Sequence, residues 1–266
     1  MLVIAENINV MTTRIGTAMK ERDKAPIQEL AKRLVENGAD VIDINLGPAR
    51  KDGDKMMEFV VESVAEVTNL PFCLDTTNHV AMEAGLVKCQ ELGLPKPIVN
   101  SFSAQPDKME NILPLAAKYG TEIIGLTMGA AIPIDANERV AIAYELVLAA
   151  NELGIPNEKI YVDPIILPVG VDVGQQHAVA VQEVLKMLPE MFDPPVKTTC
   201  GLSNISNGAP DQLRPAINNV FAAMLAAVGM SSAIVDVLDK EMMRTVRLIK
   251  ALSNQSLYSV SDAELK

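Results

Sequence analysis

The strongest constraint on this chain is a repeating alternation, a short apolar run of β type followed by a longer segment with helical patterning. The runs are Leu2–Ala5, Val41–Asn45, Phe72–Asp75, Ile98–Ser101, Glu122–Met128, Ile160–Asp163, Thr198–Ser203 and Ala233–Val235. The helical segments after them are Pro26–Asn37, Lys55–Val67, Val80–Leu92, Lys108–Tyr119, Asn137–Leu153, Gln176–Leu188, Ala216–Val228 and Asp239–Leu252. Pro26 suits a first helical turn, and Gly38, Gly154 and Gly229 suit the positions just past a helix end. Strands that alternate with helices predict a parallel sheet, because each parallel connection needs a crossover. Eight such pairs at a spacing of about 30 residues are what a (β/α)8 TIM barrel requires. An open Rossmann sheet should carry G-x-G-x-x-G after an early strand, and the sequence has none. With no Ser/Gly linker, low-complexity tract or break in composition, residues 1–266 read as one domain, with a polar accessory tail after Leu252.

Composition narrows the function. The formal charge is -11, from 23 Lys plus Arg against 34 Asp plus Glu, which argues against nucleic acid and anionic membranes as partners. Aromatic residues are 3% and Trp is absent, so a base-stacking surface is not expected. No apolar run reaches the ~18 residues of a membrane span. The start, MLVIAENINVM, has no basic n-region and meets Glu6 early, unlike a signal peptide. Three scattered cysteines, Cys73, Cys89 and Cys200, make neither a disulfide framework nor a zinc motif and suit a reducing, cytoplasmic setting. His79 and His177 are too far apart for a metal motif, so no metal site is expected. Carboxylates, amides and hydroxyls are left to do the chemistry.

In a barrel the active site lies at the C-terminal strand ends. In order these carry Glu6 and Asn9; Asp43 and Asn45; Asp75 with Thr76, Thr77 and Asn78; Asn100 and Ser101; Thr127; Asp163; Ser203 and Asn204; and Asp236. The ring is acids and amides, without Lys or Arg. Phosphate recognition would want a Gly-rich helix start and a cation near the last two strands, where the sequence reads GLSNIS and AIVD. Acids and amides suit a neutral ligand rich in N–H donors, such as the 2-amino-4-oxo edge of a pterin. The competing reading is helix capping, which weighs evenly for Thr77 and Asn78 and is favoured for Asp236 and Asp239. Asp163 precedes Pro164, which disfavours immediate helix entry and favours a functional role. The cysteines and the Met pairs (Met56, Met57; Met187, Met191; Met242, Met243) read as core filling, His177 as a cap or packing residue, and Lys20–Lys24 as a solvated turn.

The segments CLDTTN (Cys73–Asn78), IVNSFSA (Ile98–Ala104), IIGLTM (Ile123–Met128), YVDPIILPV (Tyr161–Val169) and GLSNIS (Gly201–Ser206) stand in that order at strand ends. Together they resemble the methyltetrahydrofolate:corrinoid protein methyltransferases, pterin-binding barrels to which dihydropteroate synthase and the pterin domain of cobalamin-dependent methionine synthase are more distantly related. The resemblance spans nearly the whole chain. It implies that Asp75, Asn100 and Asp163 hydrogen-bond the pterin ring and that Asn204 lies near its methyl-bearing N5. It also implies that Gly201 and Ser203 line the same strand end, that Asp43 and Asn45, with Glu6, sit at the mouth, and that Arg214 lies nearer the substrate entrance. The implied substrates are tetrahydrofolate or methyltetrahydrofolate and a corrinoid (cobalamin) carried by a partner protein. No D-x-H-x-x-G pattern of a resident corrinoid module is present. A homodimer is the usual state of the family.

The sequence departs from the family in four places. AENIN stands where G-E-R-[IT]-N is expected, TMG stands for TMN, and Asn207–Leu213 and Val169–Gln175 are slightly longer. All lie near the mouth, and they favour the demethylation direction, from methyl-corrinoid protein to tetrahydrofolate, over the reverse. Dihydropteroate synthase is the first alternative, but its pyrophosphate leaving group calls for Lys and Arg near the seventh strand. A non-catalytic folate-binding protein is the second.

Overall fold

The computed structural model describes residues 1–265. Eight parallel strands are joined in the order β7-β6-β5-β4-β3-β2-β1-β8. They are β1 (Leu2–Asn9), β2 (Val41–Gly47), β3 (Phe72–Thr76), β4 (Ile98–Ser103), β5 (Glu122–Leu126), β6 (Ile160–Asp163), β7 (Lys197–Thr198) and β8 (Ser232–Val235). The helices around them are α1 (Thr13–Glu21), α2 (Lys24–Glu36), α3 (Gly53–Ala65), α4 (His79–Glu91), α5 (Pro106–Asn111), α6 (Leu113–Tyr119), α7 (Ala136–Glu152), α8 (Gly174–Met191), α9 (Arg214–Ala227) and α10 (Lys240–Leu252). This is the (β/α)8 barrel that the alternation predicts.

The period of two along each strand sorts the side chains. Ile42, Ile44, Leu74, Val99 and Val162 point outward into the main core against the helices. Their neighbours Ile4, Val41, Cys73, Ile98, Ile124 and Tyr161 point inward and fill the lumen as a separate apolar cluster. At the lower end the lumen is closed by Lys197, which pairs with Glu122 and lies 4.8 Å over the Tyr161 ring. One inward step above the apolar layer, the same alternation delivers Glu6, Asp43, Asp75, Asn100 and Asp163 to the upper end.

The structure corrects the sequence reading at four points. A helix, α1, precedes α2, and the run Lys20–Lys24 is the joint between them, with Arg22 in the left-handed region (φ 57°) and Asp23 capping α2. The segment 108–119 is two helices that meet at Ile112, because Pro114 starts a new first turn. β1 continues to Asn9, with a register shift between Ala5 and Ile8. The expected strand Thr198–Ser203 is strand only at Lys197–Thr198; the chain then touches β8 through one Gly201–Ile234 bridge and turns into a 3₁₀ segment, Leu202–Ser206. Hydroxyls stitch this seam: Thr198 N donates to Ser231 Oγ at 2.8 Å, and the Ser231 and Ser232 hydroxyls donate back to the Thr198 carbonyl.

Candidate functional site

A chamber of about 610 Å³ opens at the upper strand ends. Eight of the ten predicted site residues line it: Glu6, Asp43, Asn45, Asp75, Asn100, Asp163, Gly201 and Asn204. Asn7, Asn9, Thr12 and Asp236 add further polar lining. Ser203 and Arg214 lie in a smaller adjoining cavity of about 240 Å³, which shares Glu6 and Asp236 with the chamber. Ser203 Oγ donates to Glu6 Oε1 at 2.6 Å, and Arg214 donates to Ser206 and Asn207. Among the cappers, Asn78 receives N–H groups of α4, Asp239 those of α10, and Thr76 spends its hydroxyl on the Gly47 carbonyl. Thr127 is fully buried behind the ring.

Amides hold the acids in place. Asn45 Nδ2 donates to Asp75, and Asn100 Nδ2 reaches Asp43 Oδ1 at 3.4 Å. Burial costs each carboxylate its hydration, so its acid form is favoured. Desolvation pushes Asp43 well above the usual range, and the neighbouring Asp75 charge adds to it. Asp75 itself is raised by burial, partly offset by the Asn45 hydrogen bond. Glu6 is pushed up to about 7, by burial first and by Asp236 next, with Ser203 and Arg214 opposing. Asp163 is raised to about 6 by burial, and the Ile165 and Gly201 N–H groups and Arg139 hold it below the others. Among the described residues no Lys or Arg lines the chamber. A ligand that brings its own N–H donors would stabilise the ionised form of these acids, and they would accept its hydrogen bonds.

Asn204 sits differently. It is exposed on the 3₁₀ segment above the acids. Its Oδ1 accepts from Asn207 Nδ2 at 3.2 Å, and a Cβ on Gly201 would lie 3.1 Å from its Nδ2. Glycine at 201 leaves the room in which this amide rests and turns.

The sequence reading missed Arg139, which is fully buried on α7. Its guanidinium donates to the carbonyls of Pro133 (2.8 Å), Pro164 and Ile165 (3.0 Å) and contacts His177 Nδ1. It fixes the loop that begins at Asp163. A signal was present: Arg139 shares a helical stripe with Ala143, Leu146 and Ala150, where an arginine is out of place unless it has partners inside. His177 is the packing residue that the sequence implied, buried against Arg139. Asn7, where the family pattern has Arg, donates to Asp236 Oδ1 at 2.6 Å and ties β1 to the end of β8.

Comparison with known proteins bears on the family and the fold. The chain is 28% identical over 255 residues to a methylcorrinoid:tetrahydrofolate methyltransferase of Eubacterium limosum, covering 95% of this chain and 91% of that protein. It is 27% identical over 246 residues to methionine synthase of Mycobacterium tuberculosis, covering 88% of this chain but 20% of that longer protein. Among solved structures it resembles dihydropteroate synthase of Xanthomonas albilineans with 4-aminobenzoic acid, at a TM-score of 0.68 and 19% identity over 97% of this chain and 94% of that one. It also resembles the Yersinia pestis enzyme with a pterine-sulfa conjugate, at 0.69 and 18% over 95% and 94%. Those identities speak for the fold alone. The profile of the family described as pterin binding enzyme matches residues 6–236, and the chain belongs to that family.

Proposed function

We propose that the chain transfers a methyl group between N5 of tetrahydrofolate and the cobalt of a corrinoid held by a partner protein. The observation that carries this reading is the inward-facing set Asp43, Asn45, Asp75, Asn100 and Asp163, crowned by the exposed amide of Asn204. The acids accept the 2-amino and ring N–H groups of the pterin, and the two amides serve its mixed donor and acceptor edge. The similarity to the Eubacterium limosum methyltransferase supports the methyl-transfer chemistry.

Transfer breaks the C–N5 bond heterolytically. The electron pair stays on N5, which takes up a proton from solvent to give tetrahydrofolate, and the reduced cobalt supplies the pair for the new bond to carbon; in the reverse reaction the N5 lone pair attacks the methyl carbon, the Co–C pair returns to cobalt and the N5 proton leaves to solvent. N5 is a poor leaving group unless its developing charge is met. Asn204 can turn its NH₂ toward N5 as charge collects there, and a donor that strengthens in the transition state is worth roughly 2–4 kcal/mol. The nucleophile arrives activated, so no histidine base is needed. The lengthened mouth segments favour transfer from methyl-corrinoid protein to tetrahydrofolate.

Five lining carboxylates and no cation count against dihydropteroate synthesis, whose pyrophosphate leaving group needs positive partners. We further propose a homodimer that buries the α8–α9 face. Val179, Val220 and Met224 are exposed there, and no charged residue occurs from Pro215 to Val235. Three free, buried cysteines are compatible with the cytoplasm. Absorbance of cob(I)alamin mixed with methyltetrahydrofolate tests the main reading. Loss of the reduced-cobalt band supports it; bound folate with no spectral change would make the protein a folate binder. The direction follows from rates measured both ways with the cognate corrinoid protein.

A further inference from the structure

The ring of strand ends divides into two arcs. The arc from β2 to β6 carries the acids and amides set against the ring edge, Asp43, Asn45, Asp75, Asn100 and Asp163. The closing arc, from the β7 turn across β8 to β1, carries Asn204, Asp236 and Glu6. Glu6 is tied to the segment that bears Asn204, because Ser203, the residue before it, donates its hydroxyl to Glu6 Oε1 at 2.6 Å. Glu6 therefore stands on the side of the chamber where the pterin reading puts N5.

Glu6 also faces the other way. With Asp236 it forms the wall shared by the chamber and the adjoining cavity of about 240 Å³. Among the described residues Pro215 is the one apolar residue lining that cavity. A cavity so polar holds water, since only apolar walls keep such a space dry. Asn218, on its wall, has its Oδ1 buried without a protein partner among the described residues, an acceptor that water completes. Arg214 shares the cavity with four carboxylates, Glu6, Asp211, Asp236 and Asp239, and forms an ion pair with none of them. Those gaps are of the kind that water bridges. Asp211 is exposed, so the cavity reaches solvent on the α9 side. The charged groups around Glu6 are thus Asp43 from β2, Asp236 after β8 and Arg214 from α9, with Asp211 and Asp239 farther out. Asn7, its neighbour on β1, holds Asp236 at 2.6 Å.

Methyl transfer changes the proton count at N5 by one. At that moment the corrin has to lie face-on over the methyl carbon, and a macrocycle in that position shuts the mouth to bulk water. The proton needs a second way in.

We propose that Glu6 carries the proton to and from N5, and that this proton passes through the side cavity instead of the mouth. The proposal rests on the methyl-transfer reading and adds the proton path to it. As the C–N5 bond breaks and its pair stays on N5, the Glu6 O–H bond breaks and N5 takes the proton; the carboxylate then regains one from the cavity. In the reverse direction the Glu6 carboxylate accepts the N5 proton and releases it by the same path. Burial pushes the Glu6 carboxyl up to about 7, Asp236 adds to the rise, and Ser203 and Arg214 oppose it, so both forms are present near neutrality, as a carrier requires.

Stopped-flow absorbance of cob(I)alamin mixed with folate-loaded full-length protein reads the single turnover. Donation needs the acid form, so the parent rate from methyltetrahydrofolate should fall as pH rises through about 7. Glu6→Gln should slow transfer about 100-fold on the acid side of that range, keep folate Kd within about threefold and lose the descent. In Glu6→Gly, acetate should restore the rate saturably, which a merely structural role would not give. Asn218→Leu and, at the outer end, Asp211→Leu alter the side cavity and leave the chamber lining intact; each should slow transfer about tenfold with folate affinity unchanged. A Glu6→Gln rate equal to the parent's, or a slower rate that keeps the descent with no acetate rescue in Glu6→Gly, overturns the carrier. Parent rates in both cavity variants would bring the proton through the mouth and overturn the path. Parent protein that binds folate and leaves cob(I)alamin unchanged removes the methyl-transfer reading beneath the proposal.

Discussion

The two sides of the chamber mouth are built in opposite ways. On the β6 side every strand residue is buried and paired with β5, and the middle two, Tyr161 and Val162, pair with β7 as well. Asp163 ends that strand with its Oδ1 accepting the Ile165 N–H at 2.7 Å, and Arg139 clamps the loop from behind. On the β7 side two residues of strand give way to one bridge and a 3₁₀ segment, and Asn204 stands exposed at its tip. The acids that would recognise the ring are thus placed by ladders and a buried guanidinium. The amide that would act on N5 is placed by a short turn, exposed and held by a single side-chain hydrogen bond from Asn207. Recognition asks for fixed geometry, whereas a group that must strengthen its bond as charge moves has to be able to reorient.

Substitutions can break this contrast, and the largest effect is expected on the rigid side. Arg139→Leu leaves three carbonyls without their donor and should lower stability by about 3–5 kcal/mol, measured by urea unfolding. A loss under about 1 kcal/mol would mean that the clamp is not structural. On the exposed side, Asn204→Ala should slow single-turnover methyl transfer about 100-fold with folate Kd within about threefold. An equal loss of affinity and no change in the bound-state rate would move Asn204 from chemistry to binding. Asp75→Asn should weaken tetrahydrofolate binding by about 10- to 100-fold while leaving the free protein as stable or more so, because it removes a buried acid.

Titration sharpens the same contrast. Glu6 and Asp163 ionise near 7 and 6 in the fold, above the ~4 of an unfolded carboxylate, so the native state holds extra protons between those limits. Stability of the free protein should therefore fall as pH rises from about 4 to 7, and folate affinity should rise over pH 6–7 as the acceptors ionise. Melting temperatures across that range, with Glu6→Gln and Asp163→Asn flattening the slope, check the sign. The smallest effect is expected at the seam: Ser231→Ala leaves the Thr198 N–H without its acceptor and should cost about 1–2 kcal/mol, with faster amide exchange at residues 198–206 and little at β6.

The strand–helix alternation made the barrel legible, and the period of two along VIDIN, FCLD and IYVD explains why the acids listed by strand end also meet in space. The reading failed where local pattern and tertiary context part. TTCGLS has β propensity, yet past Thr198 the backbone is drawn off by the Gly201 bridge and the hydroxyl stitching to β8. Helix α1 carries only a short apolar stripe, Ile15, Ala18 and Met19, which is little to find without its neighbours. Arg139 could be recognised only by treating a charge on a buried stripe as a demand for partners. Ser203 sits on the 3₁₀ segment that curls away after β7 and Arg214 opens α9, so their cavity is the adjoining one.

The three unpaired cysteines give the molecule an internal clock. Cys73 lies in the lumen against Asp43, Cys200 at the seam and Cys89 on the buried face of α4, all buried. Burial pushes each thiol away from its reactive anion, Cys89 to about 12. A thiol reagent can therefore modify them only during moments when the wall parts. The order in which they are labelled would report which staves of the barrel loosen first, with Cys200 marking the seam and Cys73 waiting for the whole lumen to open.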